Sequence, residues 1–259
     1  MKNKTLIISI SVLAFIVLIV VLSSAIFCLK SVEINFMSNT INLTNRETQI
    51  VESGKFKYNQ SMFFVNKKQY IKTLEKENPY IKVINIETIF PNKLVINAVE
   101  RNELFVIKSY EEGSFKNYLV LDNELKILNN LTEFENNYLN PILINIESEQ
   151  VETNIAGEKL ENSYNEILNT LATELYAYNK NPLILKANFE EITINFENKN
   201  NIQIKMRSGV NIILKDMNNK LMEKFMLALS YYNNLEDATQ GIITTYENNN
   251  GEVVGYFYK

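Results

Sequence analysis

The sequence predicts an α+β protein with three parts: an N-terminal transmembrane helix, a small domain with the element order βααββ, and a larger sheet-rich α+β domain. An uninterrupted apolar stretch near the N-terminus predicts the membrane helix. Short segments in which apolar and polar residues alternate predict strands over most of the remaining chain. Amphipathic segments between them predict packed helices. With 259 residues, the chain is long enough to build hydrophobic cores beyond the membrane helix.

The predicted membrane helix runs from Leu6 to Leu29 and contains no charged residue. A helix of this length extends roughly 36 Å, enough to cross a bilayer with some tilt. Lys2 and Lys4 precede it, and the positive-inside rule places residues 1–5 in the cytoplasm as a short tail. We therefore expect a single-pass protein of the cell membrane whose C-terminus lies outside the cytoplasm.

A cleaved signal peptide is the alternative interpretation of this stretch. Signal peptides have a shorter apolar region and a cleavage site formed by small residues. Here Ser23, Ser24 and Ala25 are followed by Ile26 and Phe27, which make a poor cleavage site. The length of the stretch favours a retained anchor.

Composition restricts the chemistry that the chain can perform. The net charge is −4, which argues against a nucleic-acid partner and against electrostatic adhesion to anionic lipid. Cys28 is the only cysteine, so no intrachain disulfide can form, and the absence of histidine removes the commonest general base and metal ligand. Adjacent acidic residues such as Glu190 and Glu191 point to opposite faces of a strand and do not form a catalytic pair. We expect no enzymatic activity, no cofactor and no metal.

The small domain begins directly after the membrane segment. Thr44 and Glu47 have the spacing of a capping box, and Asn66 is suited to cap a second helix with an apolar stripe at Tyr70, Ile71 and Leu74. A tight turn at Pro91–Asn92 joins the last two strands. The predicted elements are a strand at Ser31–Met37, a helix ending at Ser53 before Gly54, a helix after Asn66, and strands at Tyr80–Ile89 and Lys93–Arg101.

The larger domain is predicted to hold two longer helices among its strands. The first follows a capping box formed by Ser163 and Glu166, and the second runs from about Asn218 to Tyr232. The second helix carries Met222 and Met226 beside Leu221, Phe225 and Leu229; such a stripe could bind varied partners, but its spacing favours core packing. The predicted strands are Leu104–Lys108, Asn117–Asp122, Leu125–Leu128, Ile142–Ile146, Glu191–Phe196, Ile202–Met206, Val210–Leu214, Ile242–Tyr246 and Glu252–Lys259.

One segment resembles the signature of a known family. IKVINIETIFPNKLVINAVER, from Ile81 to Arg101, is similar to the end of the POTRA domain in the FtsQ/DivIB family of bacterial cell division proteins. There, two strands flank an aromatic-proline turn and are followed by an acidic-basic pair. The matching residues are Phe90-Pro91 at the turn, Leu94, Ile96 and Ala98 at inward positions, Ile81, Ile84 and Ile86 at apolar strand positions, and Glu100-Arg101 as the pair. YLVLDNELKIL, from Tyr118 to Leu128, and the final GEVVGYFY also resemble family segments.

The resemblance implies a domain plan and a function. The plan is a cytoplasmic tail (1–5), a transmembrane helix (6–29), a POTRA domain (30–100) and an FtsQ/DivIB-type β domain (101–259). The implied function is that of a non-enzymatic scaffold of the divisome at the division septum, which helps to regulate septal cell-wall synthesis. The implied partners are FtsB/DivIC-type and FtsL-type coiled-coil proteins, with other divisome membrane proteins bound through the POTRA domain. A membrane-anchored cell-envelope enzyme and a sensor ectodomain are the alternatives.

The final strand is the candidate binding site. As the last element of a sheet-rich chain, it can lie at a sheet edge and accept a partner strand by β-augmentation. The alternative is that its aromatic residues only pack on the helix near Phe225. We expect Val254→Pro to remove a backbone donor at that edge. The candidate partner-binding residues are Gly251, Glu252, Val253, Val254, Gly255, Tyr256 and Phe257.

Overall fold

The chain divides into two compact units, Met1–Glu100 and Arg101–Lys259. The computed structural model describes residues 12–15, 26–37, 46–133, 140–147, 150–152, 155–196, 200–236 and 238–259. Within these ranges, no helix has the length and apolar character needed to cross a membrane. The predicted cytoplasmic tail, most of the predicted membrane segment and Thr44 lie outside the described residues.

The small unit has the predicted βααββ order. Its three strands form a sheet in the order β1-β3-β2, in which β3 pairs parallel with β1 and antiparallel with β2. A 3-10 helix at Met62–Phe64 lies between the two α-helices. The elements are β1 (Ser31–Phe36), α1 (Glu47–Ser53), α2 (Lys67–Glu77), β2 (Ile81–Ile89) and β3 (Lys93–Glu100).

The core of the small unit follows the predicted alternation along β3. Leu94, Ile96 and Ala98 are fully buried, as predicted, because successive strand residues point to opposite faces. The prediction that Asn66 caps α2 is also confirmed, since its Oδ1 accepts a hydrogen bond from the backbone N–H of Gln69 at 3.2 Å. Leu29, the last residue of the predicted membrane segment, is fully buried in this core.

Strand β2 departs from simple alternation at Ile84. The register between β2 and β3 shifts between Val83 and Asn85, so that β2 carries a bulge at this point. Ile84 is exposed as a result, whereas Ile81, Val83 and Ile86 are buried. A bulge inserts one residue and changes which side chains face the core. Ile84 is therefore not a core position, although it is apolar.

The large unit is built on a nine-stranded sheet with the order β12-β11-β10-β9-β8-β7-β4-β5-β6. Helices α3 (Asn165–Tyr178), α4 (Pro182–Asn188) and α5 (Leu221–Asn233) accompany it. The strands are β4 (Phe105–Glu111), β5 (Ser114–Leu121), β6 (Ile127–Leu131), β7 (Ile142–Ile146), β8 (Phe189–Phe196), β9 (Asn201–Met206), β10 (Val210–Leu214), β11 (Gly241–Glu247) and β12 (Val253–Tyr258).

The predicted capping box at the start of α3 is wrong. Tyr164, and not Ser163, is the N-cap residue, and its side chain makes no capping hydrogen bond. The Oδ1 of Asn162 accepts from the backbone N–H of Tyr164 at 2.7 Å, and this turn delays the start of the helix. Helix α4 was not predicted, although Asn181 caps it and Pro182 occupies its first turn, the usual start signals.

The prediction that the methionines of α5 face the core is also wrong. Leu221, Phe225 and Leu229 are buried, but Met222 and Met226 are about half exposed. Each methionine follows a buried residue by one position, which turns it about 100° around the helix axis. The sheet contacts only the face formed by the buried residues.

A buried ion pair connects two segments that the family resemblance singled out separately. Nη1 of Arg101 lies 2.5 Å from Oδ2 of Asp122, and both side chains are almost fully buried. The same Nη1 lies 2.7 Å from Oε2 of Glu124, which is partly exposed. Oδ1 of Asp122 accepts backbone N–H bonds from Glu124 and Lys126, each at 2.8 Å. These bonds fix the first residue of the large unit to the turn between β5 and β6.

Candidate protein-binding site

Strand β12 lies at one end of the nine-stranded sheet and pairs only with β11 among the described strands. A tight turn joins the two strands. The backbone N–H of Gly251 donates to the carbonyl of Asn248 at 3.0 Å, and that of Asn248 donates to the carbonyl of Glu252 at 2.9 Å. Gly251 has a φ of +79°, which a glycine adopts readily. This is the geometry of a three-residue hairpin loop with a bulge.

The turn determines which backbone groups of β12 face outward. The bond from Asn248 to Glu252 makes these residues a hydrogen-bonded pair, and such pairs alternate with non-bonded pairs along an antiparallel ladder. In the observed register, the hydrogen-bonded pairs are therefore Tyr246–Val254, Thr244–Tyr256 and Ile242–Tyr258. The backbone groups of Val253, Gly255 and Phe257 therefore point away from β11, toward the sheet edge.

One face of β12 is covered by α5, which packs against β10, β11 and β12. Phe257 is half-buried against the core cluster that contains Phe225. The hydroxyl of Tyr231 donates to the carbonyl of Gly255 at 2.9 Å, so the helix satisfies one outward carbonyl. A Cβ at Gly255 would lie 3.1 Å from carbon atoms of Tyr231 and Thr245, which explains the glycine at this position.

The opposite face of β12 presents an exposed row of tyrosines. The rings of Tyr256 and Tyr258 stack with centroids 5.7 Å apart, and Tyr246 on β11 contacts Tyr256 edge-on at 6.1 Å. Nζ of Lys215 lies 5.9 Å from the centroid of the Tyr246 ring. Large, rigid aromatic side chains of this kind are enriched at protein interfaces. The two faces of β12 thus differ, since Phe257 packs inward while Tyr256 and Tyr258 remain exposed.

Lys220 holds the end of the hairpin in place, and Lys224 holds the segment between β10 and α5. Nζ of Lys220 lies 3.2 Å from Oε1 of Glu247 and also donates to the carbonyl of Gly251. The fully buried Lys224 donates to the carbonyls of Lys215 and Asp216 at 2.8 Å and to that of Asn219 at 2.6 Å. Burial lowers the pKa of Lys224, and the negative charges of Asp216 and Glu247 partly oppose this effect.

The sequence-predicted residues therefore divide into two groups. Gly251 and Glu252 belong to the turn, and Val253 to Phe257 lie on the edge strand. The register also corrects the effect expected of Val254→Pro. The N–H of Val254 points into the sheet toward β11, so this proline would break the β11–β12 pairing. No group of three or more His, Cys, Asp or Glu side chains arranged to hold a metal ion occurs in the described part of the chain.

Comparison with known proteins matches both units. The family model described as "POTRA domain, FtsQ-type" matches residues 30–101. Cell division protein DivIB of Clostridium botulinum (strain Hall) is 30% identical over 216 residues, which cover 79% of this chain and 81% of that protein.

Two further relatives carry the same name. Cell division protein DivIB of Clostridium tetani is 28% identical over 193 residues, which cover 73% of this chain and 66% of that protein, slightly less than two thirds of its length. The DivIB protein of Clostridium acetobutylicum is 24% identical over 210 residues, covering 76% of this chain and 79% of that protein. The chain therefore belongs to the FtsQ/DivIB family of cell division proteins, and its small unit is an FtsQ-type POTRA domain.

Proposed function

We propose that this protein is a non-enzymatic division scaffold, anchored in the cell membrane by residues 6–29, which binds other division proteins outside the cytoplasm. It acts at the division septum, where it helps to regulate septal cell-wall synthesis. The charge-free stretch and its preceding lysines support the anchor and its orientation. The POTRA domain offers a surface to other divisome membrane proteins.

The outer edge of β12 carries the proposed binding to FtsB/DivIC-type and FtsL-type coiled-coil proteins. The outward N–H groups of Val253, Gly255 and Phe257 have no strand partner among the described residues. A partner segment in extended conformation can accept these donors and extend the sheet by one strand. Tyr256 and Tyr258 flank the edge and supply side-chain contacts that select the partner.

Val253 provides the most specific test of this binding mode. Val253→Pro removes an outward donor at the first residue of an edge strand, a position that tolerates proline. Val253→Ala shortens the same side chain and keeps the donor, so it is the matched control. We expect the wild-type chain and the alanine variant to capture a purified FtsB/DivIC-type partner, and the proline variant to capture much less.

The full-length chains are purified in detergent, and circular dichroism first checks that all three are folded. Val254→Pro serves as a positive control for damage to the sheet, because its N–H faces β11. Equal capture by the Val253→Pro and Val253→Ala chains would show that the edge of β12 does not bind the partner by strand addition.

A further inference from the structure

Three phenylalanines from separate segments form a cluster at one end of the POTRA domain. Phe27 precedes β1, Phe63 lies in the 3-10 helix, and Phe90 begins the turn between β2 and β3. Their ring centroids are 5.6 Å apart for Phe27 and Phe63, 5.8 Å for Phe27 and Phe90, and 5.5 Å for Phe63 and Phe90. We call these three residues, with the adjacent Phe64, the aromatic cluster.

Backbone hydrogen bonds fix the three segments against one another. The N–H of Met62 donates to the carbonyl of Phe27, and that of Leu29 donates to the carbonyl of Gln60, both at 2.9 Å. The N–H of Lys30 donates to the carbonyl of Asn92 at 2.8 Å, which holds the β2–β3 turn beside the same segment. The cluster is therefore a built feature of the domain and not a chance contact of mobile side chains.

The cluster is exposed to an extent that is unusual for phenylalanine. Phe63 is 62% exposed, Phe64 85% and Phe90 53%. Ile26 and Ile89, which adjoin the cluster in sequence, are also exposed. A contiguous apolar patch on a folded domain marks a surface that contacts another apolar phase or partner.

The sequence on either side of the cluster indicates what covers it. Phe27 is the last residue before Cys28 and Leu29 enter the domain, and it lies two residues before the end of the charge-free stretch from Leu6 to Leu29. The cluster thus lies where the chain passes from that stretch into the folded domain. A bilayer crossed by this stretch would meet the domain at the cluster.

Local charge is consistent with a lipid surface. Between Glu52 and Glu75 the chain contains no acidic residue, although the protein as a whole is acidic. The lysines in this interval are Lys55, Lys57, Lys67, Lys68 and Lys72. Lys57 and Phe64 line the same surface cavity of about 380 Å³, so positive charge and exposed aromatic surface meet in one place. Lys55 also lines this cavity, but its Nζ is paired with Oε1 of Glu77 at 2.8 Å.

We propose that the aromatic cluster docks on the outer surface of the lipid bilayer and holds the POTRA domain against the membrane. The phenylalanine rings enter the boundary between headgroups and acyl chains, and the lysines contact anionic headgroups. This proposal depends on the membrane anchor of the proposed function. It adds a second contact with the membrane, made by the folded domain itself.

Fluorescent probes attached to single cysteines in the full-length chain test this docking. An environment-sensitive fluorophore is placed at Phe64→Cys or Phe90→Cys, and the chain is reconstituted into vesicles whose lipids carry a nitroxide quencher near the headgroup end of the acyl chain. Cys28 is buried, and the unmodified wild-type chain measures its background labelling. Ile84→Cys is the matched control, because Ile84 is 48% exposed but lies in β2 six residues before Phe90, roughly 20 Å away at the rise of an extended chain.

We expect loss of emission at positions 64 and 90 and little loss at position 84. The loss should deepen when phosphatidylglycerol replaces part of the phosphatidylcholine, because of the lysines. Absence of quenching at both cluster positions in anionic vesicles, or equal quenching at position 84, would overturn the proposal. A blue-shifted but unquenched probe would also overturn it, since it would indicate that a second copy of the chain covers the cluster.

Retention of the chain in vesicles after an alkaline wash reports on the anchor separately. If the chain is retained and the cluster probes are not quenched, docking alone is refuted. If the wash releases the chain, the anchor is refuted, and docking with it.

Discussion

Removal of the Asp122 carboxylate should strongly destabilise the large unit. In the Asp122→Ala variant, Arg101 remains buried but loses its closest partner, at 2.5 Å, and the backbone N–H groups of Glu124 and Lys126 lose their acceptor. Breaking a buried ion pair from one side costs roughly 3–5 kcal/mol, and an orphaned buried N–H costs about 1–3 kcal/mol. Glu124, 2.7 Å from the same guanidinium nitrogen, offsets part of this loss. We therefore expect a net loss of about 4 kcal/mol.

Two further variants separate the contributions. Asp122→Asn keeps an amide oxygen as acceptor for the backbone N–H groups but loses the charge, so it should cost about half as much as the alanine variant. Arg101→Met combined with Asp122→Ala removes both buried charges. The double variant should lose about 1–3 kcal/mol less than the sum of the single losses, since the two residues are in direct contact.

Urea unfolding of residues 26–259, followed by circular dichroism, measures these free energies. The reasoning would be refuted if Asp122→Ala cost less than about 1 kcal/mol, the scale of an exposed ion pair. Additive losses in the double-variant cycle would refute it equally, because they would show that Arg101 and Asp122 do not stabilise each other.

Substitutions at three other positions, Ile96, Lys224 and Gly241, give further predictions. Ile96→Asp places an unpaired charge in the POTRA core and should cost ~4 kcal/mol in a fragment of residues 26–101, which keeps the buried Leu29 and should unfold cooperatively without the substitution. Lys224→Met should cost about 3 kcal/mol by leaving three carbonyls without their donor. Because the pKa of Lys224 is lowered in the fold, the unfolded chain binds more protons than the folded chain between this lowered pKa and pH 10.5. The wild type should therefore gain stability relative to this variant as pH rises through that window. Gly241→Ala puts a Cβ 2.4 Å from Phe257 at a φ of +126° and should cost about 2 kcal/mol and loosen β12; unchanged melting would contradict this.

Sequence alone was sufficient where side-chain alternation and local signals decide the structure. Leu94, Ile96 and Ala98 alternate on a strand without irregularity, and Asn66 caps a helix through a bond three residues away. The POTRA signature at Ile81–Arg101 was sufficient to identify the family that the comparisons then showed. The alternation of apolar residues and the capping bond are local features, which neighbouring residues in the sequence reveal.

Tertiary contacts explain what the sequence could not predict. The register shift in β2 exposes Ile84. The sheet covers only the side of α5 that carries Leu221, Phe225 and Leu229, so Met222 and Met226 stay outside the core. Arg101 and Asp122 belong to separate family segments, and nothing in either segment indicates that they meet. The outward direction of the Val253 N–H depends on the hydrogen bond between Asn248 and Glu252, which only the folded hairpin reveals.

Residue-resolved hydrogen exchange along β12 tests the central claim most directly, in the free protein and with a saturating FtsB/DivIC-type partner. In the free protein, the amides of Val254 and Tyr256 should exchange slowly because they bond to β11, and those of Val253, Gly255 and Phe257 should exchange faster. Partner binding by strand addition should slow the three outward amides and leave Val254 and Tyr256 nearly unchanged. Unaltered exchange of Val253, Gly255 and Phe257 in the saturated complex would contradict the claim that the edge of β12 is the binding site.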